Sequence, residues 1–176
     1  MKLAALCCTM LLTGALFAQR PAPKSPPATA EIEIGGKKIA IKYSAPSMRE
    51  RKIFGEGGLV SKDPTYPVWR AGANSATSLH TDAALDFDGL TVPPGDYTLF
   101  ALVNSMPWQL IINKQTGQWG LSYKASEDLG RVKMTMGHPA SPVETFKIVL
   151  ASEGGNKGKL TMEWENVVAS VNFTVK

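Results

Sequence analysis

Apolar side chains recur at every second position along most of this 176-residue chain, and this period limits the folds open to it. Ile39, Ile41 and Tyr43 alternate with lysine and alanine, and residues 160–164 alternate leucine, methionine and tryptophan with threonine and glutamate. Strand side chains point alternately to opposite faces, whereas a helix repeats its apolar face about every 3.6 residues. The sequence therefore predicts an all-β, single-domain antiparallel β-sandwich of the jelly-roll or immunoglobulin-like type.

Turn signals separate the predicted strands. Gly35 and Gly36 stand between two alternating segments, which is typical of a tight β-hairpin. Residues 154–156 (Gly-Gly-Asn) predict a second hairpin loop, and residues 93–96 (Pro-Pro-Gly-Asp) predict a turn. Residues 97–103, which follow that turn, are largely apolar on both faces, as expected for a central strand of a two-layer fold.

Further strands are predicted from sets of apolar residues that share one face, and a short helical turn is predicted over residues 126–129. Each set is expected to lie on a single strand, because side chains two positions apart point the same way. The sets are Trp108, Leu110 and Ile112; Val132, Met134 and Met136; Phe146, Ile148 and Leu150; and Val171, Phe173 and Val175.

The N-terminus has the features of a signal peptide. Lys2 supplies a positive charge, and residues 3–17 form an apolar run too short to span a bilayer. We assign residues 1–18 to the signal peptide, with cleavage after Ala18; cleavage after Ala15 stays open as an alternative. The expected location is periplasmic or secreted, with no integral membrane span after cleavage.

Residues 19–30 are rich in proline and are predicted to form a linker, so that the β-sandwich domain covers residues 31–176. Cys7 and Cys8 are the only two cysteines and lie in the predicted signal peptide. The mature chain is therefore expected to have no disulfide and no thiolate metal site. A lipoprotein anchor is disfavoured because Leu6 precedes Cys7 where such signals carry a small residue.

The segment Tyr66–Thr77 sets one tryptophan and one arginine against a run of small residues, which let the backbone approach a neighbouring surface closely. In one interpretation Trp69 offers a stacking surface, Arg70 clamps a carboxylate, phosphate or sugar hydroxyl, and Asn74 orients it. In the other, Trp69 fills the core, Arg70 pairs with a structural carboxylate and Gly72 shapes a bulge. The second is favoured, because aromatic side chains dominate core energetics.

His80 with Asp82, and Trp119, are further candidates for ligand-binding residues. His80 and Asp82 lie two positions apart, so in a strand both side chains point the same way. The chain has two histidines, and His138 lies in a predicted turn, so a three-histidine zinc site is excluded and no metal site is predicted. Trp108 stands at an inward-facing strand position, whereas Trp119 lies beside a glycine and is the better candidate for an exposed stacking surface.

Specific motifs occur in a fixed order along the predicted mature chain. They are Tyr43-Ser44-Ala45-Pro46-Ser47, Arg51-Lys52-Ile53-Phe54-Gly55, Val68–Thr77, Pro94–Leu99, Trp108–Asn113, Asp128–Val132 and Glu163-Trp164-Glu165. In this order they resemble the bacterial exported family called domain of unknown function 2911. The resemblance implies export and a compact β domain, and it points to Trp69, Arg70, Asn74, Asp128 and Arg131 as site residues.

The resemblance is incomplete in two places. Ala45 and Glu50 stand where the family pattern leads us to expect arginine and glycine, and the loop at residues 61–67 is longer than usual. The family has no assigned activity to carry over. The resemblance therefore assigns no function to this chain.

Three functional hypotheses follow. The chain is a binding module for a small polar or carbohydrate-like ligand or an envelope protein, a hydrolase that uses Arg70, His80 and nearby carboxylates, or a structural envelope component. We assign no catalytic residue and no cofactor, and we exclude nucleic acid as a partner because export removes the usual target and no binding motif is present. Convergence of Trp69, Arg70 and Asn74 on an open pocket favours binding or catalysis, and burial of all three favours the structural role.

Overall fold

The computed structural model describes residues 23–176, which form strands, turns and two short 3₁₀ segments at Val60–Lys62 and Ala125–Glu127. The all-β class is confirmed. The predicted signal peptide and residues 19–22 of the predicted linker lie outside the described residues. The strands are β1 Pro27–Ile34, β2 Lys37–Ser44, β3 Val68–Trp69, β4 Thr77–Thr81, β5 Leu85–Phe87, β6 Leu90–Val92, β7 Gly95–Leu102, β8 Gln109–Asn113, β9 Asp128–Lys133, β10 Thr135–Gly137, β11 Val143–Gly154, β12 Lys157–Glu165 and β13 Val167–Val175.

Two sheets pack face to face around a large apolar core, and Val68, Phe100 and Ile111 form a second, smaller buried cluster. Sheet 1 has the strand order β1-β2-β4-β7-β8-β9, and β3 also pairs with β7. Sheet 2 has the order β11-β12-β13-β5-β6, and β10 also pairs with β13. Neighbouring strands pair antiparallel in both sheets. The period of two in the sequence thus corresponds to an antiparallel β-sandwich, as predicted.

Both predicted hairpins are present. The turn after β1 consists of Gly35 and Gly36, with φ of +59° and +72°, and positive φ at both positions suits the twist of the flanking strands. The second hairpin joins β11 to β12, with Gly154 opposite Lys157 across its turn. β1 begins at Pro27, ahead of the predicted domain start at residue 31, because it pairs with β2 along its whole length.

An aromatic cluster joins the two sheets. The ring centroids of Trp69 in sheet 1 and Trp164 in sheet 2 lie 5.8 Å apart, with the ring planes at 21°. Phe146 meets Trp69 edge-on at 5.0 Å, and Phe54 meets Trp108 edge-on at 4.8 Å. Such pairs add about 0.5–1.5 kcal/mol each beyond the burial of their area. Trp69 is 3% exposed, so the interpretation of this residue as a core side chain is confirmed.

One predicted strand is wrong. Val132 and Met136 were expected on a single strand, but Val132 belongs to β9 in sheet 1 and Met136 to β10 in sheet 2. Met134, between the two strands, is buried, and its N–H donates to the carbonyl of Trp108 at 2.8 Å. The alternation continues through the crossing because the chain passes between the sheets and keeps its apolar side chains in the shared core.

Candidate functional site

β3 and β4 both pair with the edge of β7 that faces away from β8, and residues 70–76 loop out between them. Trp69 lies opposite Ala101 and Thr77 lies opposite Leu99, so this loop takes the place of a single position on the strand. We call residues 70–76 the bulge loop. The run of small residues in the sequence corresponds to this segment.

Small residues are needed in the bulge loop because it packs directly on neighbouring backbone. A Cβ atom on Gly72 would lie 3.0 Å from the carbonyl oxygen of Ser44 and 3.1 Å from Oγ1 of Thr77, and Gly72 has a φ of +156°. Ala71 is fully buried with a φ of +48°, and its carbonyl accepts a hydrogen bond from the Thr77 hydroxyl at 2.8 Å. Close packing therefore fixes the conformation of the loop.

A cleft of about 360 Å³ opens beside the bulge loop. The buried rings of Trp69 and Trp164 form its floor, and Trp119, which is 53% exposed, stands at its rim. We call it the Trp119 cleft. It brings together four of the residues predicted from the sequence, namely Trp69, Arg70, Asn74 and Trp119. The other lining residues are Pro46, Leu59, Val60, Lys62, Asp63, Pro64, Gly72 and Ala73.

Backbone contacts attach the segment that carries Trp119 to the bulge loop. Ser75 and Trp119 form an isolated antiparallel bridge, and the N–H of Gly120 donates to the carbonyl of Asn74 at 3.0 Å. A Cβ atom on Gly120 would lie 2.3 Å from Cδ of Arg70 and 2.6 Å from the Asn74 carbonyl oxygen. Gly120 therefore allows the Trp119 segment and the Arg70 side chain to pack against each other.

Arg70 is held by a carboxylate, as the structural interpretation predicted. Its Nη2 atom donates to Oδ2 of Asp63, and the two side chains are 15% and 10% exposed. The other oxygen of Asp63 accepts from the N–H and the hydroxyl of Thr65 at 3.2 and 3.0 Å. Asn74 is exposed with a φ of +60°, and within the described part of the chain its amide nitrogen makes one long 3.4 Å contact, to the Ser44 hydroxyl. Its amide thus remains accessible at the rim.

Asp128 and Arg131 are not among the residues that line the Trp119 cleft. The Asp128 carboxylate accepts from Nε and Nη2 of Arg131 at 3.0 and 2.8 Å, from the hydroxyl of Tyr123 at 2.7 Å, and from the amide of Asn113 at 2.9 Å. Arg131 Nη2 also donates to the Tyr123 hydroxyl oxygen at 2.8 Å. We call these four residues the Asp128 network. It joins the start of β9 to β8 and to the segment that precedes β9.

The Asp128 network is partly buried, and this changes the acidity of its tyrosine. Burial, reinforced by the hydrogen bond to the Asp128 carboxylate, raises the pKa of Tyr123 to about 12. The Tyr123 ring packs edge-on against Phe100 with centroids 5.0 Å apart. The side chain of Asp128 is 11% exposed. This geometry is that of an internally satisfied polar cluster.

His80 lies on β4, and it also does not line the Trp119 cleft. Its Nε2 atom lies 3.0 Å from Asp82 Oδ1, which agrees with the predicted common face, and its Nδ1 atom lies 2.8 Å from Asp96 Oδ1. Hydrogen bonds to Asp96 and then to Asp82 raise the pKa of His80, because both carboxylates stabilise the imidazolium form. The three side chains are 46%, 47% and 71% exposed for His80, Asp82 and Asp96.

Sequence reasoning missed the residues that complete each of these places. Asp63 neutralises Arg70, Asp96 is the second partner of His80, and Tyr123 closes the Asp128 network. These partners come from other strands or loops, so their spacing along the chain carries no signal. Gly120 was also missed, but the sequence does carry a signal for it, because glycine is common where a backbone approaches a neighbouring surface closely.

Within residues 23–176, no group of three or more histidine, cysteine, aspartate or glutamate side chains is arranged to hold a metal ion. In the same part of the chain, the structure contains no helix with the length and apolar character that a membrane span requires.

The protein is thus an antiparallel β-sandwich with a cleft of about 360 Å³ beside its bulge loop. The chain belongs to the family described as "Protein of unknown function (DUF2911)", whose model matches residues 25–173 of the 176. The resemblance carried by the motifs is thereby confirmed. No curated protein and no solved structure matched the chain.

Proposed function

We propose that this domain is a binding module that holds a small polar or carbohydrate-like ligand in the Trp119 cleft. The observation that carries the proposal is the convergence of Trp69, Arg70, Asn74 and Trp119 on one open cleft. Three separate segments of the chain supply these side chains: the end of β3, the bulge loop and the segment at Trp119.

The composition of the cleft supports binding. Ligand sites are concave, mostly apolar and furnished with a few placed polar groups, and they span about 300–1,000 Å³. The Trp119 cleft has about 360 Å³, apolar walls that include Leu59, and the polar side chains of Lys62, Asp63, Arg70 and Asn74. Its loops are fixed by backbone hydrogen bonds, so a ligand would meet a site that is already formed.

The hydrolase hypothesis has less support. His80, its proposed base, is outside the residues that line the cleft, and Asp63 is the one carboxylate among them. Asp63 already accepts hydrogen bonds from Arg70 and Thr65, so it holds Arg70 and its own loop in place. An envelope protein is less favoured as the partner, because the cleft is concave and has a volume of only about 360 Å³.

We further propose that the domain works outside the cytoplasm, in the periplasm or in the medium. The charged start and the apolar run at residues 2–17 support this location.

The ligand hypothesis is tested by NMR of the indole N–H groups of the folded domain in a screen of small molecules. The four tryptophans give four indole signals, and the signal of Trp119 is assigned by its absence in Trp119→Ala. A ligand of the cleft shifts this signal. Trp119→Ala or Arg70→Ala weakens its binding at least tenfold, as followed by the backbone amide signals of the bulge loop, which both variants retain.

Met106→Ala is the matched control, because Met106 is 73% exposed and is not among the residues that line the cleft. This variant should bind as the wild type does. A broad screen in which no compound shifts the Trp119 signal, or in which binding survives both cleft variants, would refute the proposal.

A further inference from the structure

We infer that the ligand of the Trp119 cleft is a neutral sugar ring, bound through an apolar face and a pair of neighbouring hydroxyls. This inference rests on the proposed binding function and narrows it to one chemical class. Three features of the cleft carry it: the neutralised arginine, the mixed donor and acceptor groups beside it, and the exposed tryptophan.

The charge of Arg70 is already balanced inside the protein. Its ion pair with Asp63 is largely shielded, with the side chains 15% and 10% exposed, so the carboxylate stays next to the guanidinium. An anionic ligand at Arg70 would also approach Asp63, and like charges repel at this range. Arg70 therefore does not offer an unbalanced positive charge to an anionic ligand.

The Arg70–Asp63 pair presents hydrogen-bond donors and an acceptor that can bond to the hydroxyl groups of a ligand. Nη2 is the Arg70 atom that donates to Asp63, and a guanidinium carries five N–H donors in a fixed plane. The carboxylate of Asp63 supplies an acceptor beside them, and the Asn74 amide at the rim both donates and accepts. A sugar hydroxyl donates one hydrogen bond and accepts others, so two neighbouring hydroxyls can bond to such a set without carrying charge.

Trp119 supplies the surface for the apolar face of the ring. Its side chain is 53% exposed while the other three tryptophans are 2–4% exposed, so it is the indole with an accessible face. Leu59, 37% exposed, also lines the cleft. A pyranose carries C–H groups on one face and hydroxyls at its edge, and this division matches an aromatic rim beside a polar pair.

Lys62 also lines the cleft and forms no ion pair within residues 23–176, but its side chain is exposed. The attraction of an exposed charge for an anion is screened over about 8 Å at physiological salt. Lys62 therefore adds a weak, salt-dependent preference for anions, and the test is run at physiological salt to reduce it.

The test compares matched ligands that differ in charge at one carbon. Methyl glucoside, methyl galactoside and methyl mannoside are titrated against the corresponding uronates and against inorganic phosphate, with the Trp119 indole signal as the readout. At least one neutral glycoside should bind, more tightly than its uronate. In Trp119→Ala, which lacks the indole signal, binding is followed by the backbone amide signals of the bulge loop, and it should be abolished.

Asp63→Asn is the decisive variant, because it removes the negative charge and keeps the size of the side chain and its contact with Thr65. The inference expects this variant to bind the neutral glycoside more weakly and the matching uronate about tenfold more tightly. The unfolding temperature of each variant shows whether it is folded. Lys62→Gln is the control, and it should change uronate binding by a smaller factor.

The outcomes separate the two proposals. Binding of uronates or phosphate without any neutral glycoside overturns the sugar inference and leaves the binding function standing. Binding of other small molecules but of no glycoside has the same consequence. If no compound of any class shifts the Trp119 signal, the binding function itself fails, and the inference fails with it.

Discussion

The Trp119 cleft and the Asp128 network use the same kinds of polar side chain in different ways. In the network, Arg131 gives three side-chain hydrogen bonds, two to Asp128 and one to the Tyr123 hydroxyl. In the cleft, Arg70 gives one side-chain hydrogen bond among residues 23–176, and Asn74 and Trp119 face solvent. Residue type therefore does not separate a ligand site from a structural cluster; the supply of unused donors and acceptors does.

This difference has an energetic consequence. A partly buried cluster that satisfies all its members is costly to break, because the groups left behind lose their partners while they remain shielded from water. Side chains at an open rim recover their hydrogen bonds with water when a neighbour is removed. Substitutions in the network should therefore change the free energy of unfolding, and substitutions at the rim should change binding.

Among the polar side chains compared here, the largest effect is expected for Asp128→Ala. It leaves the Tyr123 hydroxyl, the Asn113 amide and the Arg131 guanidinium without their shared acceptor. We expect a loss of about 2–4 kcal/mol in the free energy of unfolding, measured by urea denaturation, because several hydrogen bonds and an ion pair are lost together. Ligands of the Trp119 cleft should still bind to the folded fraction. A loss below about 0.5 kcal/mol, the range of ordinary surface changes, would contradict the structural assignment of the network.

Gly120→Ala should have an intermediate effect, and it tests the contact between the two walls of the cleft. The added Cβ atom would lie 2.3 Å from Cδ of Arg70 and 2.6 Å from the carbonyl oxygen of Asn74, so at least one must move. We expect a loss of about 1–3 kcal/mol, as for overpacking elsewhere, together with a changed Trp119 indole signal.

Gly137→Ala is the matched control for that substitution. Its Cβ atom would meet Val168 Cβ at 3.9 Å, an ordinary van der Waals distance. The free energy of unfolding should change by less than about 0.5 kcal/mol. Equal effects of the two substitutions would show that Gly120 has no special packing role.

The sequence predicted the sandwich because the core-facing pattern survives in nearly every strand. Two features of the fold could not be predicted from this pattern. The division of residues 132–136 between two sheets preserves the apolar period, so no pattern marks the crossing. The pairing of β3 and β4 with one edge of β7 depends on register, which the spacing along the chain does not contain.

The sequence predicted the site residues that are close together along the chain and missed those that meet only in the folded structure. Trp69, Arg70 and Asn74 are neighbours in sequence, so a single unusual segment marked all three, and Trp119 was marked by its adjacent glycine. Asp128 and Arg131 came from resemblance, and the structure places them outside the cleft lining. Asp63 was missed because whether a loop carboxylate meets Arg70 depends on the path of the loop. Tertiary contacts thus decide which charges remain available.

Trp119→Ala should leave stability almost unchanged, which distinguishes the rim from the floor of the same cleft. Trp119 is 53% exposed and Trp69 is 3% exposed. We expect a change below about 0.5 kcal/mol in the free energy of unfolding, as for other surface positions, while Trp69→Ala should cost about 3–5 kcal/mol. Urea denaturation of both variants provides the measurement. A large loss for Trp119→Ala would mean that this ring packs as a structural element, and the case for a stacking surface would fall.

The smallest effect is expected at His80, where the polar groups are paired but all of them are exposed, unlike Asp128 in the network and Asp63 in the cleft. Because the folded-state pKa of His80 is raised, its pairing stabilises the fold at pH below the ordinary value of about 6.5 and is lost as the pH rises through the raised pKa. Hydrogen bonds to His80 and to the N–H of Lys38 lower the pKa of Asp82, so its contribution is lost as the pH falls through that lowered pKa. The pairing is therefore strongest between these two values.

An NMR titration of the His80 ring tests whether its contacts with Asp82 and Asp96 raise its pKa. Asp96→Asn should lower the pKa of His80 more than Asp82→Asn does, because the hydrogen bond to Asp96 is the larger cause of the shift. Neither variant should measurably alter the free energy of unfolding at neutral pH, since solvent screens exposed pairs. If the pKa of His80 did not move in either variant, the two contacts would not persist in solution. If stability fell as steeply as in Asp128→Ala, then pairing alone, without burial, would be enough to make a polar cluster structural.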